Sequence, residues 1–379
     1  MDFELSQDHK VLKDTVRDFV VNEIAPIAIE IDEKHEIPDS LVKKLGEMGF
    51  LGAYTPEEYG GSSLDILSYI LVVEEISKAC ASTAVLVSAH TSLATDPILY
   101  FGNNEQKKRY LPLLASGKRI GCILLTEADA GSDVAAISTT YKEDGDQYVA
   151  NGSKLFVTNG AYRGLGILFA SKDKTLKHKG LSAFVVDLES PGIELLKNEE
   201  KLGIRGSYTS AFAFDNVRIP KENLLGKEGD GFKIAMETLN GGRIGIAAQA
   251  LGIAEGAFDK TVEYSGVRKQ FGKPLSAFQA IQFKLADMAT KIETSKLLVY
   301  KAAWLKDNNK TNAMESAMAK MYASETSTYV TNHALQIHGG YGYIKEYEIE
   351  RMYRDAKITE IYEGTNEVQR IVVAKMLLK

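Results

Sequence analysis

The chain has 379 residues, a formal charge of −6, and 45% apolar and 25% charged residues, with neither its 32 glycines nor its 8 prolines in excess. This composition excludes collagen-like, disordered and disulfide-scaffold proteins, and the length suits about two or three domains around a large core. No basic block accompanies the acidic balance, so no nucleic-acid partner is expected, because phosphate binding needs clustered Lys and Arg.

The start, Met1-Asp2-Phe3-Glu4-Leu5, carries acid where a targeting peptide carries base. No run approaches the ~18 apolar residues of a membrane-spanning helix. Cys80 and Cys122 form no CxxC pair and read as buried thiols of a reducing compartment. Together these features predict a cytoplasmic protein. Residues 1–118 read as a helical domain. Val11, Thr15, Phe19 and Val20 share a face, with Ser6 as N-cap and Pro26 as terminator. Pro38-Asp39 opens a second helix through Leu41, Leu45 and Met48, which Gly49 ends. Residues 54–65 form a loop, and apolar helices follow near 66–79 and 83–100, punctuated by Pro97 and Gly102.

The pattern changes over 119–225. Residues 122–125, 165–170, 182–186 and 211–214 read as short strands, separated by turns such as Asp144-Gly145-Asp146, Asn151-Gly152 and Ser190-Pro191-Gly192. That spacing predicts a middle β-sandwich or barrel. Over 226–379 the helix formers return. Residues 275–338 contain neither Gly nor Pro, and the polar run 307–312 divides them into an antiparallel pair. With helices near 228–266 and 365–378 this predicts a C-terminal four-helix bundle. The class is therefore α+β and multidomain.

The familiar signatures are missing: GxxxxGK[ST], GxGxxG after a strand, HExxH and GxSxG. His333 and His338, five residues apart, fall on different faces of a helix, so no metal site is expected. What remains are turns rich in glycine and hydroxyls. Thr126-Glu127-Ala128-Asp129-Ala130-Gly131-Ser132-Asp133 follows a strand, and its small residues permit close approach to phosphate or ring atoms. Lys154-Leu155-Phe156-Val157-Thr158-Asn159-Gly160 sets an aromatic two residues before a hydroxyl, on one strand face. Gln336-Ile337-His338-Gly339-Gly340-Tyr341-Gly342 breaks a long helix where a ligand could pass. Each alone is equally a turn or core packing. In Glu363-Gly364-Thr365-Asn366-Glu367, Thr365 reads as an N-cap and Glu367 as a first-turn acid. Glu363, after the apolar Ile361-Tyr362, is either a solvated loop residue or a carboxylate of raised pKa that serves as a base.

In this order the motifs resemble the acyl-CoA dehydrogenase family over essentially the whole chain, from Leu5-Ser6-Gln7 to Met376. Arg268-Lys269-Gln270-Phe271-Gly272 carries the likeness along with the turns above. Gly242-Arg243-Ile244-Gly245-Ile246-Ala247 and Ile281-Gln282-Phe283-Lys284-Leu285-Ala286-Asp287-Met288 are similar to the short-chain, butyryl-CoA branch. The resemblance implies a helical domain, a β-domain and a four-helix bundle, assembled as a homotetramer with FAD between the β-domain and the bundle. Ile123, Leu124 and Leu125, the run 126–132, and Phe156, Val157 and Thr158 would hold the flavin ring, with the Thr158 hydroxyl near N5. Arg268, Gln279, Gln336, Ile337, His338, Gly339 and Gly340 would bind the pyrophosphate and adenosine across a subunit interface. An arginine suits a pyrophosphate through its two parallel hydrogen bonds. Thr365, Asn366 and Glu367 would complete that site.

Glu363 would remove the α-proton of a saturated acyl-CoA thioester while the β-hydrogen leaves as hydride to flavin N5. Ser132, Asn240, Gly241, Gly242, Arg243 and Gly364 match acyl-CoA contacts, although Arg243 also suits a structural ion pair. One branch of the family carries its base just before the arginine that matches Arg243. Here that residue is Gly242, so Glu363 has no competitor. The implied reaction is butyryl-CoA to crotonyl-CoA, with electrons exchanged with electron-transfer flavoprotein. Medium- or branched-chain acyl-CoA, operation as an enoyl-CoA reductase, oxygen as acceptor, and a helical binding protein without catalysis stay open, the compact length speaking against an oxidase.

Overall fold

The computed structural model describes residues 4–378. Met1, Asp2 and Phe3, used above to argue against a targeting peptide, lie outside the described residues. Seven helices come first: α1 (Gln7–Phe19), α2 (Ala28–Lys34), α3 (Asp39–Glu47), α4 (Ile66–Ala79), α5 (Ala81–Ala89), α6 (Asp96–Phe101) and α7 (Asn104–Ala115). The expected caps form. The Ser6 hydroxyl accepts from the His9 N–H, and Gly49 takes the left-handed conformation just past α3. Pro97, expected as a break, instead sits in the first turn of α6, where a missing N–H leaves nothing unpaired. A wide π-type turn over His90–Thr95 joins α5 to α6, and all six of its residues are buried.

The middle region is one curled sheet of eight strands: β1 (Gly121–Leu124), β2 (Thr140–Asp144), β3 (Gln147–Thr158), β4 (Leu165–Ser171), β5 (Leu181–Asp187), β6 (Ile193–Asn198), β7 (Thr209–Pro220) and β8 (Leu224–Leu225). The order is β6-β7-β3-β2-β4-β5-β8, with β1 parallel to β4. Alternation along β4 and β5 explains their unbroken apolar runs. Leu168, Ala170 and Phe184 face Tyr148 and Phe212 inside the curl, while Ile167, Phe169 and Ala183 face helix residues Ile98, Leu114 and Ile234. Both faces are covered, so no polar period survives.

The bundle contains α8 (Gly231–Val267), α9 (Gln279–Asp307), α10 (Ala313–His338), α11 (Ile349–Ile358) and α12 (Asn366–Leu377), with a two-stranded hairpin of β9 (Lys269–Gln270) and β10 (Lys273–Pro274) before α9. Helix α8 packs between α4 and α10, and one apolar core joins Ile70 and Val73 to Leu251, Val299 and Val330. Within this junction the carboxylates of Glu74, Glu75 and Glu255 come together. Lys13 meets Glu74 at 2.6 Å, while Lys78 and Lys296 meet Glu255 at 2.9 and 2.8 Å. The cluster carries its own counter-charges and ties α1, α4, α8 and α9 together. No helix among the described residues is long and apolar enough to cross a membrane.

Candidate active site

Glu363 lies in the short turn between α11 and α12, at φ +55°, followed by Gly364 at φ +86°. Left-handed backbone at a glutamate costs about 1–3 kcal/mol unless its surroundings enforce it, and here they do. The Gln369 Nε2 donates to the carbonyls of Glu363 (3.1 Å) and Gly364 (2.7 Å), and Lys320 Nζ donates to the Gly364 carbonyl at 2.9 Å. Thr365 caps α12 by accepting from the Val368 N–H, and the Tyr362 hydroxyl donates to Gln249 Oε1.

Held this way, the Glu363 side chain crosses to α8. A Cβ placed on Gly242 would stand 2.6 Å from Glu363 Oε2 and 2.9 Å from Leu93 Cδ2. The Glu363 carboxyl and residue 242 thus occupy adjoining space. Glu363 Oε2 is shut off from solvent and has no hydrogen-bond partner. Burial raises its pKa to about 7, against the pull of Arg243 and Lys320. Arg243 is buried, its Nη1 donates to Asn240 Oδ1 at 2.7 Å, and its Nε has no partner. It makes no ion pair among the described residues, so the structural-pair reading of Arg243 is not what the fold contains.

The glycine- and hydroxyl-rich loop after β1 is anchored from within. Glu127 accepts from Lys154 Nζ (2.7 Å), Ser138 N and Oγ (both 2.6 Å) and Thr139 N (3.0 Å). Burial alone would raise its pKa, yet Lys154 and these hydrogen bonds hold it at about 2. Leu124 and Val157 belong to the sheet's inner core, so Leu124, Glu127 and Val157 offer a ligand only their backbone. Thr126, Ala128, Asp129, Gly131 and Ser132 reach the surface, whereas Ala130 and Leu125 are buried and Ile123 is half-buried.

A bulge interrupts β3 just before the stretch on which Phe156 and Thr158 are expected to share a face. Lys154 pairs with Phe212 and Val157 with Ser210, so a bulge holds Leu155 and Phe156 opposite one residue, and Phe156 sits at φ +56°. Strict alternation is lost. Phe156 stands 60% exposed, Val157 is buried and Thr158 is half-buried. Lys154→Met leaves the Glu127 carboxylate buried without its cation. We expect a loss of about 3 kcal/mol in urea unfolding, against little loss from replacing exposed Lys142.

Arg268, Ile337, His338, Gly339 and Gly340 line a cavity of about 430 Å³ at the far end of the bundle, together with Tyr264 and Tyr341. His338 stacks on Tyr264 at 4.2 Å and Arg268 lies over the Tyr341 ring at 5.1 Å. Gln279 and Gln336 are exposed at the adjacent helix ends. The lining includes no residue of the sheet, so the turn around 126–132 and this cavity are separate places on one chain. Asn366 is buried, with its Oδ1 accepting from Lys320 (3.1 Å) and Ser324 (3.0 Å), while Glu367 is exposed at the start of α12. The reading of the sequence missed Lys320, Gln369 and Gln249. Their one signal is polarity amid small or apolar neighbours, as in Ala317-Met318-Ala319-Lys320.

A buried, unpartnered carboxyl held against a helix of the bundle is the chemistry the fold presents at this turn, and the comparisons give the class: an oxidoreductase of the acyl-CoA dehydrogenase type. Family models for the N-terminal, middle and C-terminal domains of acyl-CoA dehydrogenases match residues 6–118, 122–217 and 229–378. The chain is 52% identical over 376 residues to the mitochondrial short-chain specific acyl-CoA dehydrogenase of Bos taurus, covering 99% of this chain and 91% of that one. It is similar to butyryl-CoA dehydrogenase from Megasphaera elsdenii (47% identity, TM-score 0.98, 100% of both chains). It also resembles a chain solved in work on the electron transferring flavoprotein of Acidaminococcus fermentans (51%, TM-score 0.99, 100% of both). This chain belongs to the acyl-CoA dehydrogenase family, whose cofactor is FAD. The residues present fit that group. Arg268 lies over the Tyr341 ring in the cavity wall and forms no ion pair among the described residues, and Gly339 and Gly340 face open space where an added Cβ meets nothing, which a bulky phosphate needs.

Proposed function

We propose that the protein dehydrogenates short-chain acyl-CoA thioesters, butyryl-CoA to crotonyl-CoA, with Glu363 as the base. The observation that carries this is the unpartnered Glu363 carboxyl held against Gly242. A thioester α-proton is weakly acidic, so its removal needs a carboxylate made more basic than in water and donors fixed before reaction. Burial supplies the first. The clamped turn supplies the second by fixing the Glu363 N–H, which we assign to the thioester oxygen. Arg243 lies beside this space, its charge favouring the ionised base. FAD supplies the hydride acceptor when bound, and the residues that would hold it are those of the 126–132 turn and Phe156 to Thr158 in one chain with Arg268, Gln279, the 336–340 turn and Thr365 to Glu367 in part from another.

Short chain length has support on α8 itself. A Cβ on Gly245 would run into the hydroxyls of Ser88 and Tyr69, about 4.5 Å along the helix from Gly242. Those groups leave little depth beyond the base. Apolar residues exposed at the bundle end, including Val267, Phe271 (92%) and Phe283, suit burial in a homotetramer. The likeness to a chain solved in work on the electron transferring flavoprotein of Acidaminococcus fermentans favours such a flavoprotein as electron partner. Two buried free thiols suit the cytoplasm.

The test is the visible spectrum of the FAD-loaded protein on anaerobic addition of butyryl-, octanoyl- and isobutyryl-CoA. Bleaching by butyryl-CoA, and slower bleaching by octanoyl-CoA, is the expected outcome. Preference for octanoyl-CoA overturns the short-chain assignment. The pH dependence has a definite sign: the base works only when deprotonated and its pKa is about 7. The kcat/KM for butyryl-CoA is therefore expected to fall about tenfold per pH unit below 7 and to level above it. A flat profile from pH 5 to 8 contradicts Glu363 as the titrating base.

A further inference from the structure

Beneath Glu363 lies a cation whose charge has no part in the proposed reaction. Lys320 on α10 is completely buried, as are its neighbours Ala317, Ala319 and Ala323. No carboxylate among the described residues lies within ion-pair distance of its ammonium group. Its Nζ instead donates to the Gly364 carbonyl at 2.9 Å and to Asn366 Oδ1 at 3.1 Å, and Ser324 Oγ donates to that same oxygen at 3.0 Å. An isolated buried ammonium is costly unless something nearby needs it. What it touches is the turn that carries Glu363.

We infer that Lys320 is a positioning residue for the base, fixing the Glu363-Gly364 turn through the Gly364 carbonyl and lending Glu363 a positive charge from the protein interior. This rests on the reading of Glu363 as base. The groups facing the pair are few. Arg243 on α8 is the other cation near Glu363, with Tyr69 on α4 and Tyr362 beside it, while Glu360 and Glu367 also bear on Lys320. Burial lowers Lys320 to a pKa of about 7 and raises Glu363 to about 7, and each charge opposes the other's loss. With Glu363 Oε2 already shut off from solvent, Lys320 favours the ionised carboxylate from the protein side.

Lys320→Gln keeps an N–H donor for the Gly364 carbonyl and removes the charge. A carboxylate that loses a nearby cation protonates more readily, so the acid limb of kcat/KM for butyryl-CoA is expected to move up by about one pH unit. The infrared carboxylic-acid band that Glu363→Gln abolishes should shift its midpoint equally, in FAD-loaded protein without substrate. Lys320→Met should do the same. Coupling is reciprocal, so in Glu363→Gln the Lys320 ammonium, followed by NMR of 15N-labelled lysine, should titrate at lower pH than in the wild type. That variant keeps the question decidable if neither Lys320 variant folds. A rate loss uniform across pH with an unmoved band, or a Lys320 titration indifferent to Glu363→Gln, makes the lysine merely structural and overturns the proposal. Full activity of Glu363→Gln overturns instead the base assignment, and the proposal with it.

Discussion

Glu363→Gln is expected to leave a folded, yellow protein that butyryl-CoA no longer bleaches, with the reductive rate down by about 10³-fold or more. The amide is nearly isosteric, so the turn held by Gln369 and Lys320 should survive, and with it the neighbouring Thr365 cap and the residues proposed to hold the flavin. What disappears is the proposed acceptor of the α-proton. The usual objection to a dead variant is that it has unfolded. Here the stability effect runs the other way. Glu363 has a folded-state pKa of about 7, above its ordinary value of 4.5. The folded protein therefore binds a proton more tightly than the unfolded chain, and stability falls as pH rises from about 4.5 through 7. Glutamine has no charge to keep buried. At pH 8 the variant should melt no lower than the wild type, and the difference should vanish near pH 4. Bleaching at the wild-type rate ends the base assignment. A drop in melting temperature at pH 8 says that the carboxylate is satisfied by contacts other than those described.

Much of this arrangement is legible in the sequence because local chemistry and tertiary role coincide. The Ser6 and Thr365 caps, the long helices without Gly or Pro, and the glycines that break α10 at Gly339 follow from backbone preferences that the fold does not override. The strands of the sheet show as apolar runs because both faces are covered. The bulge at Leu155 and Phe156 is invisible, since it depends on how β3 registers against β7 some 55 residues later. Lys320 is hidden for a similar reason. On a helix of alanines, serines and threonines, where Glu315 and Glu325 are exposed or half-buried, it reads as one more solvated charge, and only the packing of α12 against α10 shows that it is enclosed. Glu363 stood undecided between solvent and pocket on its own neighbours alone. The resemblance chose the pocket, and the geometry supplies the cause: Gly242 lets α8 approach until nothing wet remains around Oε2.

That close approach gives the second large effect. Gly242→Ala is expected to lower kcat/KM for butyryl-CoA by about 10²-fold while moving the melting temperature by only about 2–3 °C. The added methyl falls 2.6 Å from Glu363 Oε2 and 3.0 Å from Cδ, well inside contact distance. Backbone relief is blocked, because Gln369 and Lys320 hold the carbonyls of residues 363 and 364. The side chains of Glu363 and Leu93, whose Cδ2 would stand 2.9 Å away, must absorb the clash, and a displacement of about 1 Å at a reacting atom is enough for a loss of this size. Stability barely changes, since alanine in a helix interior gains roughly what the displaced carboxyl loses. The double-mutant cycle separates this cause from general damage to α8. Glu363→Asp withdraws the carboxylate by one methylene and clears the space above residue 242. In that background Gly242→Ala should reduce activity only a few-fold, so the two substitutions couple strongly. Losses that simply multiply would mean that Gly242 is small for the helix's own packing. Coupled losses mean that it is small because the base occupies the volume a side chain would fill.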